Sequence, residues 1–335
     1  MPRAVIVGCS GTVLQPEEAK LFQQYPPMGC ILFARNIVDA PQVKALIADI
    51  KTASGWDVPI WIDQEGGRVQ RFRAPNWSNF PAMECFGNAF ADNAEKATRL
   101  LDTATRLLAG ELRELGVDVD CHPVLDLRFP ETHDVIGDRA FGADATRVVA
   151  CGKVVIDALQ SSGIVPIMKH FPGHGRARSD SHLELPVVSV DKQALLAEDI
   201  APFLALRATP MVMTAHIVYD QWDSLPATLS KKILQDFWRE ESGYDGLIVS
   251  DDLAMKALCD YGSPAELLQQ TLAAGADLAL YCSGELQQNQ ALLSTSPPLS
   301  DAAWQRWQIC ENIRAQECIA PSQGDCAEYH AWIAR

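Results

Sequence analysis

Basic charge is in short supply in this sequence: 28 lysines and arginines stand against 43 aspartates and glutamates, a formal net charge of -15. A chain so acidic lacks the basic face that neutralises phosphates, which argues against nucleic acid or an anionic membrane surface as a partner and leaves a small ligand. Long apolar runs are missing too. No segment reaches the roughly 20 residues of a membrane-spanning helix, and the apolar run before Gly8 is too short for the core of a secretory signal. A cytoplasmic protein is therefore expected. The ten cysteines are scattered, and several sit inside apolar runs (Cys30, Cys121, Cys282). Without an export signal they read as reduced thiols and not as a disulfide framework. Cys310, Cys318 and Cys326 recur every eight residues, a spacing that suits no zinc site. Repeats of solenoid length and low-complexity tracts are also lacking.

What the chain does have is ample core material, 48% hydrophobic residues, distributed with a regular rhythm. Eight short apolar runs, at residues 4–8, 29–34, 59–63, 117–126, 164–170, 210–216, 246–251 and 276–282, read as buried strands. Segments of helical periodicity alternate with them at 41–52, 93–115, 146–161, 192–207, 231–240 and 264–274. This alternation predicts parallel strands with crossover helices, either a (β/α)8 TIM-type barrel or a doubly wound open sheet. The count of eight favours the barrel. So do the polar residues at the strand ends, Asp63, Asp126, Lys169, His170, His216 and Asp251, since barrels place their chemistry there. Beyond Cys282 the texture turns polar, with one helix predicted over 300–317, and reads as a helical extension packed on the barrel.

The densest polar stretch is KHFPGHGRARSDSH at residues 169–182, which holds three of the seven histidines. Pro172, Gly173 and Gly175 exclude a helix there, so it is a loop leaving the fifth strand. Asp180 and His182 flank Ser181, and a carboxylate beside an imidazole orients it and favours its protonated form, as a general acid requires. Residues 62–71 set Asp63 before a Gly-Gly turn and two arginines, a carboxylate and guanidinium set suited to a polyhydroxylated or carboxylate-bearing ligand. A second arginine loop, residues 135–142, carries Arg139. Asp251 and Asp252 end an apolar strand; successive side chains point to opposite faces, so only one of them faces a shared pocket. Four histidines, His170, His174, His182 and His216, could be drawn with Asp251 as a metal site, but Pro172 and Gly173 spoil the helical spacing, and no metal is expected.

These blocks taken in order, DQEGGRVQRF at 63–72, IGDRAFG at 136–142, KHFPGHG followed by DSH, MTAHI at 213–217, PATLS at 226–230 and SDDLAM at 250–255, resemble the bacterial β-N-acetylhexosaminidases of glycoside hydrolase family 3. The resemblance implies a single-domain (β/α)8 barrel over residues 1–335, with its core at about 4–285 and a C-terminal helical tail at 286–335. It implies release of terminal N-acetylglucosamine from β-linked substrates with retention. In the most similar members the substrate is a cytoplasmic muropeptide fragment, N-acetylglucosamine on 1,6-anhydro-N-acetylmuramic acid, recovered in peptidoglycan recycling. Asp251 matches the nucleophile, His182 the acid/base and Asp180 its partner. Asp63, Arg71, Arg139, Lys169 and His170 match positions that hold sugar hydroxyls. No cofactor is implied, and a monomer acting on a small molecule is expected. Broad hexosaminidase specificity, phosphorolysis, nucleophilic participation by the substrate's own acetamido group and a sugar-binding barrel without turnover stand as alternatives. Gly173 and Gly175 are expected to let the 171–182 loop fold over bound sugar.

Overall fold

The computed structural model describes residues 1–129, 134–181 and 183–334. Its strands are β1 (Arg3–Gly8), β2 (Pro27–Leu32), β3 (Ile60–Ile62), β4 (Val119–Asp120), β5 (Val165–Phe171), β6 (Val187–Val188), β7 (Met211–Thr214), β8 (Val218–Tyr219), β9 (Leu247–Asp252) and β10 (Leu278–Tyr281). Eight of them close into a barrel in the order β1-β10-β9-β7-β5-β4-β3-β2, and every neighbouring pair is parallel. Closure removes the open sheet from consideration. The short β6 and β8 pair with each other outside the barrel.

Alternation along the strands sorts the side chains into two buried layers. Ala4, Ile6, Val119, Val165, Ile167, Met211, Met213, Leu247, Val249, Leu278 and Leu280 fill the barrel. Val5, Val7, Ile60, Ile62, Val212, Ile248 and Ala279 pack outward against the helices. The helix Asp301–Arg314 joins the inner layer through Ala303, Trp307 and Cys310, so it closes the end of the barrel where the strands begin. Ion pairs at strand starts hold it there: Arg314 with Asp118 at 2.9 Å and Asp57 at 2.8 Å, and Arg306 with Asp277 at 2.9 Å. With that end closed, chemistry is left to the opposite mouth.

Departures from the sequence reading are local. The run 117–126 forms only a two-residue strand plus a bridge between Val124 and Lys169, because Pro123 cannot donate to the ladder. The predicted helix 192–207 is two short helices, Lys192–Ala197 and Ala201–Ala205. Residues 231–240 become a π-helix, Lys232–Glu241. Helices Pro16–Gln24, Met83–Asp92 and Gln323–Ile333 were not expected from periodicity. All ten cysteines are free thiols, six of them buried. Among the described residues no helix is long and apolar enough to cross a membrane.

Candidate active site

The loop after β3 is built to return Arg71 to Asp63. Gly66 and Gly67 have φ of 104° and 54°, which glycine adopts without strain, and a Cβ on Gly66 would lie 2.4 Å from the Pro81 carbonyl oxygen. Buried Gln64 closes the loop. Its Oε1 accepts from the Arg71 and Phe72 backbone N–H groups at 2.7 and 3.1 Å, and its Nε2 donates to the Phe72 carbonyl at 3.0 Å. Arg71 Nη2 then meets Asp63 Oδ2 at 2.8 Å, while the guanidinium lies over the Phe33 ring.

Lys169, on β5, follows the inward parity of Val165 and Ile167 and is 2% exposed. Its Nζ donates to Asp63 Oδ1 at 2.9 Å and to Glu65 Oε1 at 2.6 Å. Glu65, 1% exposed, also accepts a bidentate pair from Arg139, Nε and Nη2 each at 2.8 Å. Arg139 comes from the turn Gly137–Arg139, which Arg68 fastens to the first loop through the Val135 and Ile136 carbonyls and Asp138. The result is one alternating row of charge: Arg71, Asp63, Lys169, Glu65, Arg139. Burial by itself would push the two carboxyls up; the charges of Lys169 and Arg71 on Asp63, and of Arg139 and Lys169 on Glu65, outweigh it and hold both well below the usual range. Conversely, burial disfavours the Lys169 and Arg139 cations, but the same carboxylates raise both above their ordinary values.

His170 follows Lys169 and rests on buried Asp126. Its Nδ1 lies 2.7 Å from Asp126 Oδ2, and its backbone N–H donates to Oδ1 at 3.1 Å. A carboxylate only accepts, so Nδ1 carries the proton and Nε2 points onward, 3.5 Å from Arg139 Nη2. Burial would raise Asp126, but the His170 charge and hydrogen bond lower it. His174 donates its backbone N–H to the same Asp126 Oδ1 at 2.7 Å, and its Nε2 lies 3.0 Å from Ser181 Oγ.

On β9 Asp251 continues the inward parity of Leu247 and Val249, while a register shift against β10 sets Asp252 opposite Leu280. Asp252 accepts from the Ala254 and Cys282 N–H groups, each at 2.9 Å, and burial raises its carboxyl to about 6, with the Asp251 charge adding to that rise. Asp251 Oδ1 accepts from the Asp252 N–H at 2.8 Å. The thiols of Cys121 and Cys282 form the apolar floor; burial pushes both well up, and both feel the charges of Asp63 and Asp251. His216 ties the β7 end to β9, with Nδ1 2.7 Å from Thr228 Oγ1 and Nε2 3.0 Å from the Asp252 carbonyl.

The structure thus gathers Asp63, Arg71, Arg139, Lys169 and His170 into one cluster at the mouth, with Asp251 at the inward end of β9. The Asp180 carbonyl accepts from the Leu183 and Glu184 N–H groups. His182 lies outside the described residues. Sequence reasoning left out Glu65 and gave Asp126 no role, although Glu65 stood inside a quoted motif and Asp126 at a strand end. Gly173 and Gly175, the expected hinges of the loop, are closely packed in this conformation. The Gly173 carbonyl accepts from the Tyr219 hydroxyl at 2.7 Å, and a Cβ on Gly173 would lie 2.8 Å from Asp199 Cβ. A Cβ on Gly175 would lie 1.8 Å from the Leu127 oxygen. Arg176, paired with Asp199 at 2.6 Å and stacked on Phe129, fastens the same arm. Among the described residues no group of three or more histidines, cysteines or carboxylates is placed to hold a metal.

The chain is similar to known proteins over most of its length. Residues 7–299 match the model of the glycosyl hydrolase family 3 N terminal domain. A β-hexosaminidase of Bordetella avium is 38% identical over 304 residues, 90% of this chain and 87% of its own. One from Hydrogenovibrio crunogenus is 37% identical over 303 residues, 89% and 84% of the two chains. Crystalline NagZ of Neisseria gonorrhoeae in complex with N-trifluoroacetyl-D-glucosamine superposes with a TM-score of 0.89 at 33% identity, covering 100% of this chain and 98% of that one.

Proposed function

The chain belongs to glycosyl hydrolase family 3 as one of its β-N-acetylhexosaminidases, and from that premise we propose that it is a retaining exo-β-N-acetylglucosaminidase with Asp251 as nucleophile. The observation that carries the reading is the buried charge row at the mouth beside the inward-facing end of β9. Asp63 accepts from sugar hydroxyls, while Lys169, Arg71, Arg139 and the Nε2 of His170 complete the contacts to the terminal sugar.

In the first step a carboxylate oxygen of Asp251 bonds to the anomeric carbon as the glycosidic C–O bond breaks, and His182, oriented by Asp180, gives its proton to the leaving oxygen. In the second, the now neutral imidazole takes a proton from water, whose oxygen bonds to the same carbon and releases Asp251. The substrate is a cytoplasmic muropeptide fragment, N-acetylglucosamine on 1,6-anhydro-N-acetylmuramic acid, arising in peptidoglycan recycling. The barrel at about 4–285 and the tail at 286–335 form one catalytic unit, acting as a monomer on this small molecule without metal, cofactor, nucleic acid or membrane.

A chromogenic β-N-acetylglucosaminide, run beside glucoside and N-acetylgalactosaminide analogues, tests the activity, with preference for the first expected. Mass spectrometry after a slow 5-fluoro substrate tests the mechanism. An adduct on Asp251 is the expected result, and its absence during turnover would point to the acetamido group as nucleophile. Sugar 1-phosphate formed in phosphate buffer would replace hydrolysis by phosphorolysis.

A further inference from the structure

The histidine of the 169–182 loop that the reaction leaves without a task has the most telling contacts. His174 is 3% exposed, its ring packs edge-on against His170 at 5.8 Å, and its Nε2 lies 3.0 Å from the hydroxyl of Ser181, itself 2% exposed. In the chain Ser181 stands between Asp180 and His182. The other end of the tie is equally firm. The His174 N–H donates to Asp126 Oδ1 at 2.7 Å, and Asp126 also orients His170. The arm in between is packed through Gly173, Gly175 and Arg176.

We propose that His174 is a positioning residue that latches the proton-transfer segment through Ser181 and links it, by way of Asp126, to the sugar-binding His170. The proposal rests on the assignment of proton transfer to Asp180 and His182. Two features support it. His174 Nδ1 is buried without a hydrogen-bond partner among the described residues, so the ring's one strong side-chain contact is the one to Ser181. Burial also pushes the imidazole down to about 4, despite the opposing charge of Asp126, so the ring stays neutral near pH 7 and the latch does not titrate there.

The test is Ser181→Ala, which removes one oxygen and empties no core, with His174→Gln as a second variant. Displacing a catalytic group by about 1 Å costs on the order of 100-fold. The expected result is a fall in kcat of roughly 10- to 100-fold on a sugar aglycone, a much smaller fall on a 2,4-dinitrophenyl glycoside, whose departure needs little acid assistance, and KM within about threefold. Ser181→Thr, which keeps the hydroxyl, restores most of the loss. His182→Ala is run alongside: if it lacks this leaving-group pattern, the underlying acid/base assignment fails. If His182→Ala shows the pattern while Ser181→Ala and His174→Gln keep wild-type kcat, or lose rate equally on both substrates, the latch is overturned and the assignment stands.

Discussion

Glu65→Gln is the most informative single change, because the side chain is a structural hub that aligns two cations, Lys169 and Arg139. In the wild type, three cations (Arg71, Lys169, Arg139) face two carboxylates (Asp63, Glu65) within one row. The amide keeps the size of Glu65 but removes its charge, so Arg139 loses its bidentate carboxylate and Lys169 is left to share Asp63 with Arg71, in a site where Glu65 is 1% and Lys169 2% exposed. Breaking a buried ion pair from one side costs about 3–5 kcal/mol. Unfolding entropy for a chain of 335 residues is about 0.7 kcal/mol/K, so the melting temperature is expected to fall by about 4–7 °C. The loss depends on pH in a definite direction. Both Glu65 and Asp63 have folded-state values held below their unfolded ones, so their contribution is complete above about pH 5 and is lost as pH falls toward those lower values. Thermal melts of both proteins at pH 7 and pH 4 should therefore show the gap narrowing in acid, and steady-state kinetics should show KM rising as Arg139 loses its bidentate partner. A Glu65→Gln variant melting within about 1 °C of wild type at pH 7, or a gap that widens in acid, would refute this account of the charge row.

Asp126→Asn weakens the charge-assisted hydrogen bond that fixes the His170 tautomer, a loss of about 1.5–3 kcal/mol, and kcat/KM is expected to fall about 10- to 150-fold; unchanged kinetics would separate His170 from Asp126. Burial pushes His122 down to about 4, so its contribution to stability is present above pH 6.5 and lost as pH falls toward 4. Relative to wild type, His122→Gln should gain about 2.5 kcal/mol between pH 7.5 and pH 4.5 in denaturant melts. Gly175→Ala drives a Cβ into the Leu127 carbonyl and should lower the melting temperature by about 1.5–4 °C, from an overpacking cost of about 1–3 kcal/mol; an unchanged melting temperature would refute the close packing of Gly175.

Much of the fold was legible because the signals are local. Strand and helix periods come from the chain's own geometry, so the alternation of apolar runs is visible in one dimension. Turn chemistry was legible for the same reason at Gly66 and Gly67, whose backbone conformations ask for glycine. The sequence alone therefore determined the alternation of strand and helix and the polar residues at the strand ends. Tertiary structure decided which of them touch. Glu65 reaches Arg139 across 74 residues of sequence, and Lys169 reaches Asp63 across 106. Asp126 serves two histidines on another strand and the loop that leaves it, and Asp199 breaks a periodic helix at the point where it meets Arg176 and Gly173. These pairings depend on the register in which parallel strands close and on which strand ends come within about 3 Å of each other, the range in which hydrogen bonds form. Side-chain period carries no information about that register, and for this reason the latch at His174 and the hub at Glu65 emerged only once the barrel was closed.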